Sequence, residues 1–151
     1  MTLKPTMCCI LFASLAIFAF LNSAVAAESG TGTLIVTIND FQSSDGYAMV
    51  ALGNSKESYK QGADMAFAQR KGTIENSMSQ VVFEDVPYGE YAVSLYHDQN
   101  SNNEMDKNAM GIPKEPYAFS NNARGSFGKP SWKKVKFEMN SAEKHIEITF
   151  K

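Results

Sequence analysis

The fold is indicated most clearly by residues Ser79–His97, whose sequence is Ser-Gln-Val-Val-Phe-Glu-Asp-Val-Pro-Tyr-Gly-Glu-Tyr-Ala-Val-Ser-Leu-Tyr-His. In its first half Val81 and Phe83 lie two residues apart, and in its second half large apolar residues again occupy every second position. A period of two is typical of a β-strand with one buried face, and the Pro-Tyr-Gly segment is typical of a turn. The stretch therefore predicts two strands joined by a turn. In the second strand the predicted inward positions are Tyr91, Val93 and Leu95, and the outward ones are Ala92, Ser94 and Tyr96.

The same period of two recurs on both sides of this stretch. A short helix interrupts it, with Asn54 as the predicted cap, Glu57 reaching back to the cap and Gly62 ending the helix. About seven short strands separated by turns predict an all-β fold, an antiparallel β-sandwich. The five further predicted strands are Thr33–Asn39, Tyr47–Leu52, Met65–Ile74, Trp132–Met139 and His145–Phe150.

Residues 1–26 have the features of a cleavable export signal. Lys4 precedes an uncharged apolar run from Ile10 to Leu21, and Ala24-Val-Ala26 has the small residues that a signal peptidase recognises. The run is shorter than the ~20 apolar residues of a membrane-spanning helix. We therefore expect a periplasmic or secreted protein with no membrane span after cleavage, in which residues 27–151 form a single domain.

The composition of the predicted mature chain excludes thiol chemistry and gives no sign of nucleic acid binding. Both cysteines, Cys8 and Cys9, lie in the predicted signal, so the mature chain has no thiol for a disulfide, a nucleophile or a thiolate metal site. Without Lys4, 13 basic residues face 16 acidic ones, which gives a net charge of −3. No broad basic patch is present, so a nucleic acid partner is not expected.

One long segment, Asp98–Ser131, has no sustained period. It spans 34 residues rich in Asn, Gly and Pro. Loops longer than about 12–15 residues are uncommon in compact domains and are usually functional or disordered. This segment is too apolar for a disordered linker, so we expect a long ordered loop that folds against the sandwich and forms its working surface. Its large apolar residues are Met105, Met110, Ile112, Tyr117, Phe119 and Phe127.

The beginning of this loop has the donor pattern of a calcium site. Oxygen-bearing side chains occupy every second position, and Ca²⁺ takes 6–8 oxygen ligands. The spacing resembles the first part of an EF-hand loop and then departs from it, because Asn103 replaces the turn glycine and Ala109 the final glutamate. Such a site would bind calcium only in the range of about 10⁻⁴–10⁻³ M. The predicted ligands are Asp98, Asn100, Asn102 and Asp106.

Other interpretations of the same residues stay open. Asp and Asn also hydrogen-bond their own backbone in turns, which explains the composition without an ion. A calcium site would need further ligands, and Asn108 or the Asn121-Asn122 pair could supply them. A hydrolase using His97 with Asp98 is a third possibility, although adjacent strand residues point to opposite faces. The chain contains no G-x-S-x-G, phosphate-loop or H-E-x-x-H motif.

The second half of the loop is rich in aromatic residues and amides. Aromatic faces beside amide donors suit a carbohydrate or peptide ligand, which gives a metal-free alternative for the binding surface. The same aromatic residues could instead hold the loop against the core. The candidate ligand-binding residues are Tyr117, Phe119, Asn121, Asn122, Arg124 and Trp132.

Two motifs resemble known families. The segment Pro87-Tyr-Gly89-Glu-Tyr91 is similar to the P-x-G-x-Y turn of transthyretin-like and carboxypeptidase-regulatory-like sandwich domains. The pattern H-D-x-N-x-N-x-x-x-D from His97, followed by G-I-P-x-E-x-Y-x-F-S-N-N from Gly111, closely resembles small exported bacterial proteins catalogued as a domain of unknown function. That resemblance implies export and a prealbumin-like or immunoglobulin-like sandwich, and it implies no activity.

Taken together, these patterns predict an exported, non-enzymatic binding or structural module. Its partner would be an envelope or extracellular ligand, and its cofactor would be Ca²⁺ bound by the loop at residues 98–106. A purely structural subunit of the cell envelope is the remaining alternative.

Overall fold

The structure, a computed structural model, describes residues 30–150, and the predicted export signal at residues 1–26 lies outside this range. The described chain contains eight strands and two short α-helices. The helices are α1 (Lys56–Gln61) and α2 (Trp132–Val135), and 3₁₀ turns cover Gly62–Met65 and Ser120–Asn122. The strands are β1 (Thr31–Asn39), β2 (Tyr47–Gly53), β3 (Ala68–Gly72), β4 (Met78–Pro87), β5 (Gly89–Asp98), β6 (Tyr117–Phe119), β7 (Phe137–Met139) and β8 (Glu143–Thr149).

These strands form two sheets, which confirms the predicted all-β sandwich. The smaller sheet has the order β4-β1-β8, and the larger has the order β3-β2-β5-β6 with β7 paired to the first residues of β5. All pairs are antiparallel except β1 with β8, which run parallel. The long strands β1 and β5 are central, and each is paired on both sides.

The core lies between the sheets and follows the predicted alternation. Leu34, Val36 and Ile38 on β1 are fully buried, and they share the core with Phe83 on the neighbouring β4 and with Val93 on β5 of the larger sheet. Burying each such side chain contributes about 1.5–3 kcal/mol, so this core is the main source of stability in residues 30–150, which contain no cysteine. The predicted inward residues Val81, Tyr91 and Leu95 are also buried.

The turn between β4 and β5 explains the P-x-G-x-Y motif. Tyr88 is the only residue between the two strands, and Gly89 opens β5. The Tyr91 hydroxyl donates a hydrogen bond of 2.9 Å to the Pro87 carbonyl and so ties the new strand back to the end of the old one. The tyrosine therefore fixes the turn through which the chain passes from the smaller sheet to the larger one.

Two local predictions are wrong. Residues 132–135 form helix α2 instead of a strand, and only Phe137–Met139 are extended. The buried Ser120 hydroxyl donates to the Val135 carbonyl at 2.6 Å, which satisfies a backbone group that a sheet neighbour would otherwise bind. Helix α1 begins one residue late, because Ser55 is its cap and Ser58, not Glu57, reaches back.

The segment 98–131 is not a featureless loop. It contains β6, which pairs with Ser94–Tyr96 of β5, and the following 3₁₀ turn. A period of two cannot be detected in a strand of three residues, which is why the sequence did not reveal β6. Among residues 30–150, no helix combines the length and apolar character needed to cross a bilayer.

Candidate functional site

The loop after β5 curls around the carboxylate of Asp98. This residue ends the strand and is fully buried. One carboxylate oxygen accepts the Asn102 backbone N–H at 3.1 Å, and the other accepts the Asn103 N–H at 2.9 Å. Asn103 adopts a left-handed conformation with φ 63°, which asparagine tolerates better than most residues. Asparagine thus forms the sharp turn that glycine makes in an EF-hand loop.

The other predicted ligands meet on the exposed side of the same turn. Asp106 accepts hydrogen bonds from the amide nitrogens of Asn100 at 2.9 Å and Asn102 at 3.2 Å. The Asn100 amide oxygen accepts the Asn102 N–H at 3.1 Å, and the Asn102 amide oxygen accepts the Glu104 N–H at 2.8 Å. The structure therefore gathers all four predicted residues, and each takes part in the turn's own hydrogen bonds.

Glu115 completes this arrangement, and the sequence interpretation did not include it. It is buried, and its two oxygens accept the backbone N–H groups of Gln99 at 3.0 Å and Asp106 at 3.1 Å. One carboxylate thus binds the loop near both of its ends. Glu115 lies inside the G-I-P-x-E motif, but nothing in its spacing from Asp106 indicates that the chain returns to the loop there.

The site carries concentrated negative charge. Burial raises the pKa of the Tyr96 phenol, and the charges of Asp98, Glu115 and Glu104 raise it further. Within the part of the chain that the structure describes, the ion pairs join Lys136 to Glu90 and His145 to Glu143, and none involves this loop. The Lys71 ammonium donates to the Asn103 amide oxygen at 2.9 Å and lies 3.7 Å from the centre of the Tyr47 ring, so it binds a neutral amide and an aromatic face.

The oxygen atoms of this loop suit a hard cation, provided that some of the side-chain amides reorient. All candidate ligand atoms are oxygens, as Ca²⁺ requires. A cation beside Asp106 would need the Asn100 and Asn102 amides to turn their oxygens toward it in place of their nitrogens. No group of three His, Cys, Asp or Glu side chains among residues 30–150 is arranged to hold a metal ion, so amide and carbonyl oxygens would have to contribute.

The further ligands suggested by the sequence are engaged elsewhere. The Asn108 amide oxygen accepts the backbone N–H groups of Met110 and Ile112 in its own turn. Asn121 donates to the carbonyl oxygens of Lys134 and Lys136, and the Asn122 oxygen accepts the Thr149 N–H at 2.8 Å. These three asparagines therefore stabilise turns and connect segments of the domain.

His97 lies on the core side of β5, away from the Asp98 carboxylate. It is 1% exposed, its Nε2 atom is 2.6 Å from the Asp45 carbonyl oxygen, and its ring packs edge-on against Phe41. Both the ring and its nitrogen are thus occupied by structural contacts. The geometry gives the hydrolase alternative no support.

The fold brings together four of the six predicted ligand-binding residues and leaves Trp132 apart from them. Tyr117 is exposed and Phe119 is buried, and the two rings pack edge-on with 5.7 Å between their centroids. Trp132 packs against Tyr59, with 6.0 Å between ring centroids, in a second apolar cluster beneath helix α1. A small cavity of about 380 Å³ is lined by four of the predicted residues, Tyr117, Phe119, Asn122 and Arg124.

A larger cleft of about 720 Å³ lies on the outer face of the β2-β5-β6 sheet. The outward side chains Met49, Tyr96 and Tyr117 lie side by side across its floor, because these residues pair in register. The loop residues Asn103–Met105 form one wall, and the 3₁₀ turn after α1 forms another. The loop around Asp98 is therefore also a wall of this cleft.

Lys129 closes the cleft near helix α1. Its ammonium lies 4.2 Å from the centre of the Tyr59 ring and donates to the Tyr59 carbonyl, and partial burial lowers its pKa. The Tyr59 hydroxyl donates to the Pro130 carbonyl at 2.8 Å, and burial raises the pKa of that phenol. These contacts attach the segment that precedes α2 to the helix.

Comparison with known proteins gives a family without an assigned activity. No curated protein and no solved structure matches the chain. The family model described as "Uncharacterized protein conserved in bacteria (DUF2141)" matches residues 36–147, well over half of the sequence. This match confirms the resemblance to a bacterial domain of unknown function, whereas the prealbumin-like assignment stays a prediction. The chain belongs to the DUF2141 family.

Proposed function

We propose that residues 27–151 act outside the cytoplasm as a non-enzymatic binding module whose loop at residues 98–106 binds one calcium ion. The observation that carries this proposal is the pair of buried carboxylates, Asp98 and Glu115, neither of which forms an ion pair within residues 30–150. Both instead bind backbone N–H groups of the same loop.

The energetics of burial support a cation at this position. A buried carboxylate is costly unless its charge is compensated, and hydrogen bonds to ionised groups contribute about 1.5–3 kcal/mol each. Two N–H donors on each carboxylate compensate part of that cost. A divalent cation would offset the remaining charge of Asp98 and Asp106, together with the field of the nearby Glu104 and Glu115.

The type of ligand favours calcium over transition metals. The loop presents carboxylate and amide oxygens without thiolate or free imidazole, and this donor set suits Ca²⁺ or Mg²⁺. Calcium accepts the irregular geometry of a loop, whereas Mg²⁺ demands near-ideal octahedral coordination. Because Asn100 and Asn102 are neutral, we expect a dissociation constant of about 10⁻⁴–10⁻³ M.

Thermal unfolding tests the ion. With 10 mM CaCl₂ this affinity stabilises the fold by about 1.4–2.7 kcal/mol relative to excess EGTA, so the melting temperature rises by several degrees. The Asp106→Asn variant should lose this rise, whereas Asp64→Asn, the same change on the exposed turn after α1, should keep it. Identical melting of the wild type in calcium and EGTA would remove the ion from the proposal.

The metal-free alternative, a carbohydrate or peptide surface, is favoured by a separate observation. Tyr117 is 44% exposed and lies beside Tyr96 on the floor of the large cleft. Binding on this floor would need no calcium ion, because the floor is formed by the sheet and not by the loop at residues 98–106.

A further inference from the structure

We infer that the cleft on the β2-β5-β6 sheet binds a neutral carbohydrate chain. The inference rests on the proposed binding role but does not depend on calcium. The cleft has a volume of about 720 Å³, which falls within the roughly 300–1,000 Å³ of small-molecule sites.

The shape of the floor follows from the strand register. One row across the sheet is Met49, Tyr96 and Tyr117, and the next row is Ala51, Ser94 and Phe119. Rows two residues apart are separated by about 6.8 Å along the strands. Small side chains at Ala51 and Ser94 thus leave a depression beside a row of tall ones. An aromatic face next to a shallow depression offers a flat apolar surface to a sugar ring.

Hydroxyl groups on this floor are available to a ligand. Within residues 30–150, the side-chain oxygens of Ser94, Tyr96 and Tyr117 form no hydrogen bond, unlike the hydroxyls of Tyr59 and Tyr91, which donate to carbonyl oxygens. Each free hydroxyl can both donate and accept. A carbohydrate presents many groups of the same kind, so the floor and this ligand match in hydrogen-bonding capacity.

The charges around the cleft favour a neutral ligand. Lys60, Lys107 and Lys129 line it together with Asp64 and Glu104, so the two signs nearly balance. A phosphate or polyanion site would show a single-sign field, which focuses charged ligands.

The sheet topology disfavours an extended peptide. Peptides bind sheets most readily by adding a strand to a free edge. The floor of this cleft is a face of the sheet centred on β5, which is hydrogen-bonded to β2 on one side and to β6 on the other, so a ligand on the floor meets side chains and not free backbone groups. Recognition there must come from side chains, as it does for sugars.

Isothermal titration calorimetry with uncharged α- and β-1,4-linked hexasaccharides tests the inference, with an uncharged extended peptide as a comparison. We expect at least one oligosaccharide to bind. Tyr117→Ala and Ser94→Leu, which remove the ring and fill the depression, should each weaken binding at least about tenfold, or 1.4 kcal/mol. Thr37→Leu, an equivalent outward change on the other sheet, should leave binding unchanged.

Each titration is performed in calcium and in EGTA. Sugar binding that persists in EGTA supports the cleft even if calcium fails to stabilise the fold. Calcium stabilisation without sugar binding overturns the cleft inference and leaves the loop proposal standing. Binding of the peptide alone, or sugar binding that Tyr117→Ala and Ser94→Leu do not change, would also overturn the inference.

Discussion

Replacing Glu115 with glutamine tests how the loop is held. The carboxylate gives one oxygen to the Gln99 N–H and the other to the Asp106 N–H. Glutamine has the same shape but only one acceptor oxygen, so its NH₂ group must face one of the two donors. The substitution therefore removes one charge-assisted hydrogen bond and converts the other into a neutral one.

The magnitude follows from these two contacts. Losing a charge-assisted hydrogen bond at a buried position costs about 1.5–3 kcal/mol, and the loss of charge in the second adds roughly 0.5–1 kcal/mol. We therefore expect Glu115→Gln to lower the free energy of unfolding by about 2–4 kcal/mol. For a domain of this size, each kcal/mol lowers the melting temperature by roughly 3–5 °C.

Urea unfolding followed by circular dichroism, with EGTA present to exclude any ion, measures this loss. The matched control is Glu104→Gln, because Glu104 is exposed on the same loop and its carboxylate accepts no hydrogen bond within residues 30–150. The control should change stability by less than about 0.5 kcal/mol. Equal unfolding midpoints for the two variants would refute the role assigned to Glu115.

Two further predictions concern the packing around the site. Gly46→Ala should lower the free energy of unfolding in urea by at least ~2 kcal/mol, because φ is +68° and a Cβ would lie 1.7 Å from the Asp98 carbonyl oxygen. The control is Gly111→Ala, which should cost only about 1 kcal/mol because φ is +76° there but a Cβ would have no atom within 4 Å. Burial raises the pKa of Tyr59, so above pH 10 this phenol ionises in the unfolded chain but stays protonated in the fold, and stability falls as the pH rises. Tyr59→Phe should flatten this fall in urea unfolding above pH 10, and an unchanged slope would contradict the prediction.

The sandwich could be predicted from the sequence because its signal is local and repeated. Strands such as β1 and β5 are long enough for the period of two to appear several times, and their buried faces match the predicted ones. Helix α2 and strand β6 are too short to establish a period. Their structure is decided by tertiary contacts, such as the Ser120 hydroxyl bound to the Val135 carbonyl.

In the candidate site, too, contacts between residues close in sequence could be predicted, whereas contacts between distant segments could not. Asp98, Asn100, Asn102 and Asp106 are close in sequence, so their spacing alone predicted that they would meet. Glu115 joins them across a second turn that has no periodic signal. Tyr96 was predicted to face outward, but its pairing with Met49 and Tyr117 required the strand order, which periodicity does not provide. The aromatic residues of the loop were grouped by proximity in sequence, and the fold separates Trp132 from Tyr117.

The buried carboxylates of Asp98 and Glu115 should hold the loop after β5 in one fixed shape. Amide hydrogen exchange measured by NMR in the folded protein tests this most directly. The N–H groups of Gln99, Asn102, Asn103 and Asp106, all bound to carboxylates, should exchange at least about tenfold more slowly than in a free peptide. Exchange of all four at the free-peptide rate would contradict the account.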